Sequence, residues 1–277
     1  MTEKDEKTGQ KHGKKEIISF TLTPEICAKL RTFENRSAIV EKSLASYLHY
    51  YELQDRELNL NGSENYCFIA KTRWGKTTLV KSLLKARENN TPILVVDPHS
   101  EYNEGETLNQ EYYERIPLIG EEMYRLVKST MWNRVDSTLK QIEEQEHTIL
   151  RLNFTDIEAE KIFVSELLRA LLQKHIHTKE KRLLVLEEAQ RYTDGLIPTV
   201  SQGLKNGLQT IAISQFPLPN EVMLNSTPIL GYQWRSLLEQ TPLPLEILET
   251  LVFLKRYEFV FYDTKEEQWC KFKLHLN

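Results

Sequence analysis

The sequence predicts an α/β protein with a mostly parallel sheet, covered by helices on both faces and preceded by a small strand–helix–helix unit. From residue 66 onward, apolar runs of four or five residues alternate with helical stretches. Runs that are apolar on both faces suit strands of a buried parallel sheet. A polar stretch at 54–64, which contains Asn-Gly, separates this part from the amino-terminal unit and is typical of a linker.

Six apolar runs are the candidate strands of this sheet. They are 66–70, 93–96, 148–152, 183–186, 210–214 and 229–232. The clearest helices by apolar periodicity are 76–87 and 157–175, and 257–262 and 268–274 are expected to form a closing pair of edge strands. Segment 103–146 is acidic and has helical character, but its pattern does not place individual elements.

The composition is that of an ordinary globular protein, with 277 residues, 40% hydrophobic and 27% charged. That length suggests about two domains. No apolar run approaches the ~18 residues that cross a bilayer, and no secretory signal is visible, so we expect a cytoplasmic protein without a membrane partner. The three cysteines, Cys27, Cys67 and Cys270, are too far apart for a disulfide framework or a zinc cluster.

The amino-terminal 53 residues begin with a Lys-rich arm at 1–15, and the pattern at 16–53 predicts one strand followed by two helices. Such a small unit cannot bury a core of its own and needs a partner. Segments 19–26 and 35–40 resemble the ribbon-helix-helix family, in which two chains pair their strands into a ribbon that enters the DNA major groove. The resemblance implies an amino-terminal dimer with these DNA-binding residues: Ile17, Ser19, Thr21, Arg36, Ser37 and Ala38.

An alternative is that this unit only pairs subunits. Residues 1–53 hold nine Lys or Arg against eight Asp or Glu, and Ile17 is a poor reader of bases. The whole chain carries a formal net charge of −4. Any nucleic acid would therefore be bound by local patches or a channel rather than by bulk charge.

A phosphate-binding loop is indicated between the run 66–70 and the helix that follows it. Its residues are Ala70, Lys71, Thr72, Arg73, Trp74, Gly75, Lys76, Thr77 and Thr78. Backbone N–H groups and the positive end of the helix dipole would face the anion, with Lys76 at the β and γ phosphates and Thr77 on Mg²⁺. The pattern asks for Gly where this chain has Ala70, so the loop must tolerate a Cβ there. The alternative is a chance Gly-Lys-Thr at a helix start.

Two carboxylates, Glu187 and Glu188, follow the run 183–186, about 110 residues after the Lys-Thr pair. In a phosphate-loop ATPase the first holds the Mg²⁺ water shell and the second polarises the attacking water. Asp is the usual first residue, and Glu187 is one methylene longer. The alternative is a strand that ends in solvated charges. Asp97, Glu101 and Gln215 lie at the tips of two further strands, and each alone is typical of an ordinary loop.

Together these segments resemble, in order and spacing, the HerA/FtsK superfamily of hexameric DNA-pumping ATPases. The matching segments are the Gly-Lys-Thr loop, Asp-Pro-His-Ser-Glu-Tyr at 97–102, Glu-Glu-Ala-Gln at 187–190 and Ser-Gln-Phe-Pro at 214–217. Segment 203–207 resembles the family's Gly-Arg-Lys-x-Gly stretch, with Leu204 where Arg is common. The resemblance covers roughly residues 60–262, and compact versions of this fold occur in archaeal viruses and plasmids.

The resemblance implies a P-loop NTPase (RecA-like) fold, ATP and Mg²⁺ as cofactors, double-stranded DNA as a partner and a hexameric ring. Lys76 and Thr77 would contact nucleotide and metal, Glu187 the metal shell, and Gln215 the γ phosphate, with Glu188 as the catalytic base. An arginine from the neighbouring subunit is also implied. Its position stays open among Arg151, Arg191, Lys205 and Arg235.

The sequence thus predicts a DNA-stimulated ATPase that translocates or packages DNA, with a basic arm at 1–15, a ribbon-helix-helix unit at 16–53, a linker at 54–64 and an ATPase domain at 65–277. Three alternatives stay open. One is an ATP-switched DNA-binding regulator or partition protein, a dimer with slow hydrolysis. Another is a degenerate ATPase, favoured by Ala70 and Glu187. The third is a conjugative coupling ATPase, disfavoured because no membrane segment is visible.

Overall fold

The computed structural model describes residues 64–86, 91–112, 121–239, 241–265 and 267–273. The predicted basic arm, ribbon-helix-helix unit and most of the linker lie outside the described residues. The same holds for the DNA-binding residues expected there: Ile17, Ser19, Thr21, Arg36, Ser37 and Ala38. Their structural interpretation stays a prediction.

Strands and helices alternate along most of the described chain. The strands are β1 (Tyr66–Ile69), β2 (Ile93–Asp97), β3 (Glu106–Tyr112), β4 (His147–Phe154), β5 (Arg182–Leu186), β6 (Leu208–Ser214), β7 (Thr227–Leu230), β8 (Glu258–Asp263) and β9 (Gln268–Lys273). The α-helices are α1 (Lys76–Lys85), α2 (Glu121–Glu143), α3 (Ile157–Thr178), α4 (Thr193–Gly203), α5 (Asn220–Leu224), α6 (Arg235–Leu238) and α7 (Leu245–Leu251). Short 3₁₀ turns follow β5 and α4.

Within the described residues these strands form one sheet in the order β3-β4-β2-β5-β6-β1-β7-β8-β9. All pairings from β3 to β7 are parallel, and β8 and β9 close the sheet in antiparallel pairing. The strand order places β6 between β1 and β5. The carboxyl ends of β2, β5, β6 and β1 therefore lie side by side at one edge of the sheet.

Both faces of the central strands are buried, which explains why their sequences are apolar throughout. Side chains alternate along β1, so that Cys67 and Ile69 join the core beneath α2, α3 and α4. Tyr66 and Phe68 join the core on the opposite face, which contains the buried residues of α1. The expected mostly parallel sheet with helices on both faces is confirmed for the described residues.

Several elements differ from the sequence-based expectation. The unplaced segment 103–146 contains β3, a polar edge strand paired with β4, and the long helix α2. The strand expected at 229–232 is β7, which begins two residues earlier at Thr227 and includes Pro228. Helix α1 ends at Lys85, two residues before the predicted end. In the described part of the chain, no helix is long and apolar enough to cross a membrane.

Candidate active site

The phosphate-loop sequence connects β1 to α1 at the edge where the carboxyl ends of the parallel strands meet, the usual ligand-binding edge of open α/β sheets. Arg73 and Gly75 have left-handed backbone, with φ of 63° and 101°. Ala70 is absent from the described residues with positive φ and donates its backbone N–H to the Ser214 carbonyl at 3.3 Å. The loop therefore makes its turn without a left-handed backbone conformation at Ala70.

The Cβ of Ala70 is accommodated by a glycine on the neighbouring strand exit. A Cβ built on Gly231, just after β7, would lie 2.6 Å from the Ala70 Cβ and 2.8 Å from the Trp74 ring. The Gly231 N–H donates to the Ile69 carbonyl at 2.8 Å, so the two segments run in close contact. Trp74 stacks on Tyr232 with ring centroids 4.9 Å apart. The space at Gly231 thus compensates for the extra methyl in the loop.

Lys76 is the first residue of α1, and its side chain folds back into the loop. Its ammonium donates to the Ala70 carbonyl at 2.6 Å and to the Lys71 carbonyl at 3.3 Å. Burial lowers the pKa of Lys76, while Glu187, Glu188 and Glu101 oppose that effect. The loop therefore holds the Lys76 ammonium close to the carboxylates, in a position to contact an anionic phosphate.

Glu187 lies directly after β5 and joins three elements. Its Oε1 accepts hydrogen bonds from the Thr77 hydroxyl at 3.1 Å and from the Tyr102 hydroxyl at 2.9 Å. Burial raises the pKa of Glu187 to about 7, against the lowering effect of these two hydrogen bonds and of Lys76. A hydroxyl and a carboxylate in contact are the oxygen donors that Mg²⁺ prefers, and a cation there would favour the ionised carboxylate. The residues present fit the implied metal.

Glu188 is buried and has left-handed backbone, with φ 52°. Its carboxylate accepts hydrogen bonds from the Gln215 amide at 2.6 Å and from the Gln190 amide at 2.5 Å. His99 Nε2 lies 3.4 Å and Arg191 Nε 3.8 Å from its oxygens. These neighbours fix the carboxylate in one orientation beside Glu187.

Gln215 follows β6 and bridges the loop to Glu188. Its amide nitrogen donates to Glu188, and its amide oxygen accepts from the Thr72 hydroxyl at 2.5 Å. The Gln215 backbone carbonyl accepts from the buried Gln233 at 2.6 Å. One side chain therefore links Thr72, a loop residue expected to bind nucleotide, to the expected catalytic base.

Asp97 and Glu101 belong to the turn after β2. The buried Asp97 carboxylate accepts the backbone N–H groups of His99, Glu101 and Tyr102 at 3.2, 3.1 and 2.8 Å. It thereby shapes the turn that aims Tyr102 at Glu187. The Glu101 side chain is exposed, and its carbonyl accepts from Lys81.

The remaining loop residues expected to bind nucleotide surround the same edge. Lys71, Thr72, Arg73 and Thr78 are exposed, while Trp74 and Gly75 are half-buried. Sequence reasoning did not assign roles to Tyr102, His99 or Gln190. Tyr102 is the last residue of the segment 97–102, so its position at a strand tip was the one signal available. Its partner lies 85 residues away.

Four basic residues remained candidates for the cation that acts on a neighbouring subunit, and they lie in different parts of the structure. Arg191 contacts Glu188 and Glu160 of its own chain, the latter at 3.4 Å. Arg151 donates to the Tyr102 carbonyl at 3.1 Å. Lys205 lies in the 3₁₀ turn before β6, at the opposite edge of the sheet. Arg235 begins α6.

Comparisons with known proteins bear on part of the sequence and on the fold. Residues 63–190 match the family model described as helicase HerA, central domain. No curated protein matches this sequence.

Two solved structures show the shared fold. The genome packaging NTPase B204 from Sulfolobus turreted icosahedral virus 2, in complex with AMPPCP, is 18% identical, with 76% of this chain and 98% of that chain covered and a TM-score of 0.52. VirB4 of Thermoanaerobacter pseudethanolicus is 14% identical, with 77% and 89% covered and a TM-score of 0.56. The described chain thus has the fold of these proteins and, over residues 63–190, is similar to the HerA central domain.

Proposed function

We propose that this protein is an ATPase of the HerA/FtsK type that couples ATP hydrolysis to the translocation or packaging of DNA. The observation that carries the proposal is the convergence of Thr77, Glu187, Glu188 and Gln215 at the mouth of the phosphate loop. The match to the HerA central domain and the fold shared with a genome packaging NTPase support DNA as the partner.

The proposed hydrolysis assigns a separate task to each side chain. Lys76 leaves its loop carbonyls to neutralise the β and γ phosphates of ATP, and Glu188 accepts the proton of the attacking water. Thr77 and Glu187 would hold Mg²⁺, which supplies charge neutralisation at the terminal phosphates when bound. Gln215 orients the same water or senses the γ phosphate, because it already contacts both Glu188 and Thr72.

The same contacts argue against a degenerate ATPase. That alternative rests on Ala70 and Glu187, the two departures from the usual pattern. Ala70 fits the loop because Gly231 leaves room for its Cβ. The longer Glu187 side chain reaches the Thr77 hydroxyl at 3.1 Å, the contact that a metal site needs. Neither departure therefore removes a group that hydrolysis requires.

The amino-terminal unit would engage DNA or pair subunits, through the residues named above at 16–53. The nucleotide site would act in a ring of six chains, in which a cation from the neighbouring subunit stabilises charge on the transferring phosphoryl group. Such an arrangement would make hydrolysis depend on assembly and would couple it to movement of double-stranded DNA.

ATP hydrolysis with and without double-stranded DNA tests this proposal, with particle mass followed by light scattering. We expect DNA-stimulated turnover in a particle near six subunits. Glu188→Gln keeps the size and hydrogen-bonding ability of the side chain but cannot accept the proton, so turnover should fall by about 10²-fold or more. A dimer that binds ATP and DNA without turnover would support the ATP-switched regulator instead.

A further inference from the structure

The direction of a bound triphosphate follows from the side of β1 on which the carboxylates lie. Glu188 follows β5, and Gln215, at the end of β6, bonds to Thr72 in the first half of the loop. If the proposed function is right, the reacting γ phosphate faces this side. The nucleoside of the bound nucleotide must then extend over the other side of β1, toward β7 and β8.

Two aromatic side chains, the exposed Trp234 and the half-buried Tyr257, lie on that side, because the end of β7 and the start of β8 are adjacent in the antiparallel pair. Trp234 follows β7, and the Lys71 ammonium lies 4.9 Å from its ring centroid. Lys71 is at the start of the loop, next to Thr72, so Trp234 lies near the side assigned to the γ phosphate. Tyr257 precedes β8 and lies at the other end of the loop.

Tyr257 touches the last loop residue before the helix. A Cβ on Gly75, the N-cap of α1, would lie 2.5 Å from the Tyr257 ring, so the ring edge rests against the backbone there. Tyr257 is also a bulky residue with left-handed backbone, φ 67°. Such conformations cost free energy and cluster at ligand clamps and active sites.

Arg256 places its guanidinium over one face of this ring and adds a positive charge there. Its guanidinium carbon lies 4.8 Å from the Tyr257 ring centroid, and its side chain is exposed. Aromatic rings and guanidinium planes both stack on nucleic-acid bases, and the guanidinium charge suits a phosphate close to the nucleoside. We propose that Arg256 and Tyr257 form the platform on which the purine base of bound ATP stacks.

Calorimetric titration of the full chain with MgATP, MgCTP and magnesium tripolyphosphate tests the platform separately from the phosphate site. Tyr257→Ala should weaken MgATP binding about tenfold or more, the usual size of a lost base–aromatic stack. Tripolyphosphate has no base, so its affinity should change less than about twofold. In Tyr257→Ala the ratio of the MgATP affinity to the MgCTP affinity should fall, because a purine has the larger ring system to stack and loses more.

Two further variants control the experiment. Tyr257→Phe keeps the ring and should bind MgATP like the wild type. Phe253→Ala removes an aromatic side chain that is 81% exposed in the same connection and should also leave binding unchanged.

Four outcomes would overturn the platform. Equal losses of ATP and tripolyphosphate in Tyr257→Ala would mean that the ring only supports the loop, and no loss would place the base elsewhere. A wild-type chain that binds ATP no better than tripolyphosphate would overturn the platform alone. A wild-type chain that binds neither would overturn the proposed function as well.

Discussion

Glu187 is a carboxylate whose charge is decided by its neighbours. Burial alone favours its neutral form, and this is the largest influence on its pKa of about 7. The hydroxyl groups of Tyr102 and Thr77 donate to one oxygen and favour the ionised form. The Tyr102 hydroxyl has no expected contact with nucleotide, so it acts on the site through Glu187 and is a positioning residue.

Replacing Tyr102 by Phe removes one of the two hydroxyl donors to Glu187 and keeps the buried ring. Partners behind a metal ligand typically change metal affinity by about 10- to 100-fold. We therefore expect the Mg²⁺ concentration that half-saturates ATP hydrolysis to rise at least about tenfold. Tyr262→Phe, at a buried position in β8, is the matched control. An unchanged Mg²⁺ requirement in Tyr102→Phe would contradict the proposed metal site.

At the scale of elements, the exit of β7 and the phosphate loop behave as one packed unit. The Gly231 N–H bonds to Ile69, the Lys71 N–H bonds to the Tyr232 carbonyl at 3.1 Å, and Trp74 stacks on Tyr232. Ala70 in the loop carries a methyl group, whereas the facing Gly231 carries none. The pair therefore shares a space that holds only one Cβ.

Adding a methyl at position 231 should disturb the loop. The new Cβ of Gly231→Ala would lie 2.6 Å from the Ala70 Cβ and 2.8 Å from Trp74, which is closer than carbon atoms approach. Overpacking of this kind costs about 1–3 kcal/mol, so ATP affinity measured by calorimetry should fall about tenfold. The double variant Ala70→Gly/Gly231→Ala should recover part of that affinity, since the Trp74 clash remains. A double variant as weak as Gly231→Ala would show that the two positions are not coupled.

The sequence predicted the elements whose signals are local. The central strands are apolar because both faces are buried, and the loop between β1 and α1 has a recognisable spacing. Strand β3 was missed because its sequence, Glu-Thr-Leu-Asn-Gln-Glu-Tyr, is polar, as an edge strand permits. The start of β7 was missed because Pro228 normally argues against a central strand. The contact of Tyr102 with Glu187 depends on the packing of distant segments, which no local pattern records.

At the scale of the whole molecule, one edge of the sheet collects the ends of four parallel strands, and the site is assembled from all of them. Arg191 belongs to that assembly, because it lies between Glu188 and Glu160 of its own chain. Arg151 is likewise engaged by the turn after β2. These contacts favour a positioning role within the chain for both arginines. We propose Lys205 and Arg235 as the candidates to compare with them for a neighbouring site in the ring.

Mixing inactive variants distinguishes a cation that acts within its own chain from a cation that acts on the neighbouring chain. Glu188→Gln and Arg191→Ala damage the same site, so a ring that contains both chains has no site with both groups intact. Hydrolysis should therefore not recover when these two inactive variants are mixed. By contrast, a cation that acts on the neighbouring chain lets a mixed ring form intact sites, so mixing its Ala variant with Glu188→Gln should restore turnover. Arg235→Ala and Lys205→Ala provide this comparison under the same conditions. Recovery with Arg191→Ala would contradict its placement, because a residue 3.8 Å from its own Glu188 would then be acting on another subunit.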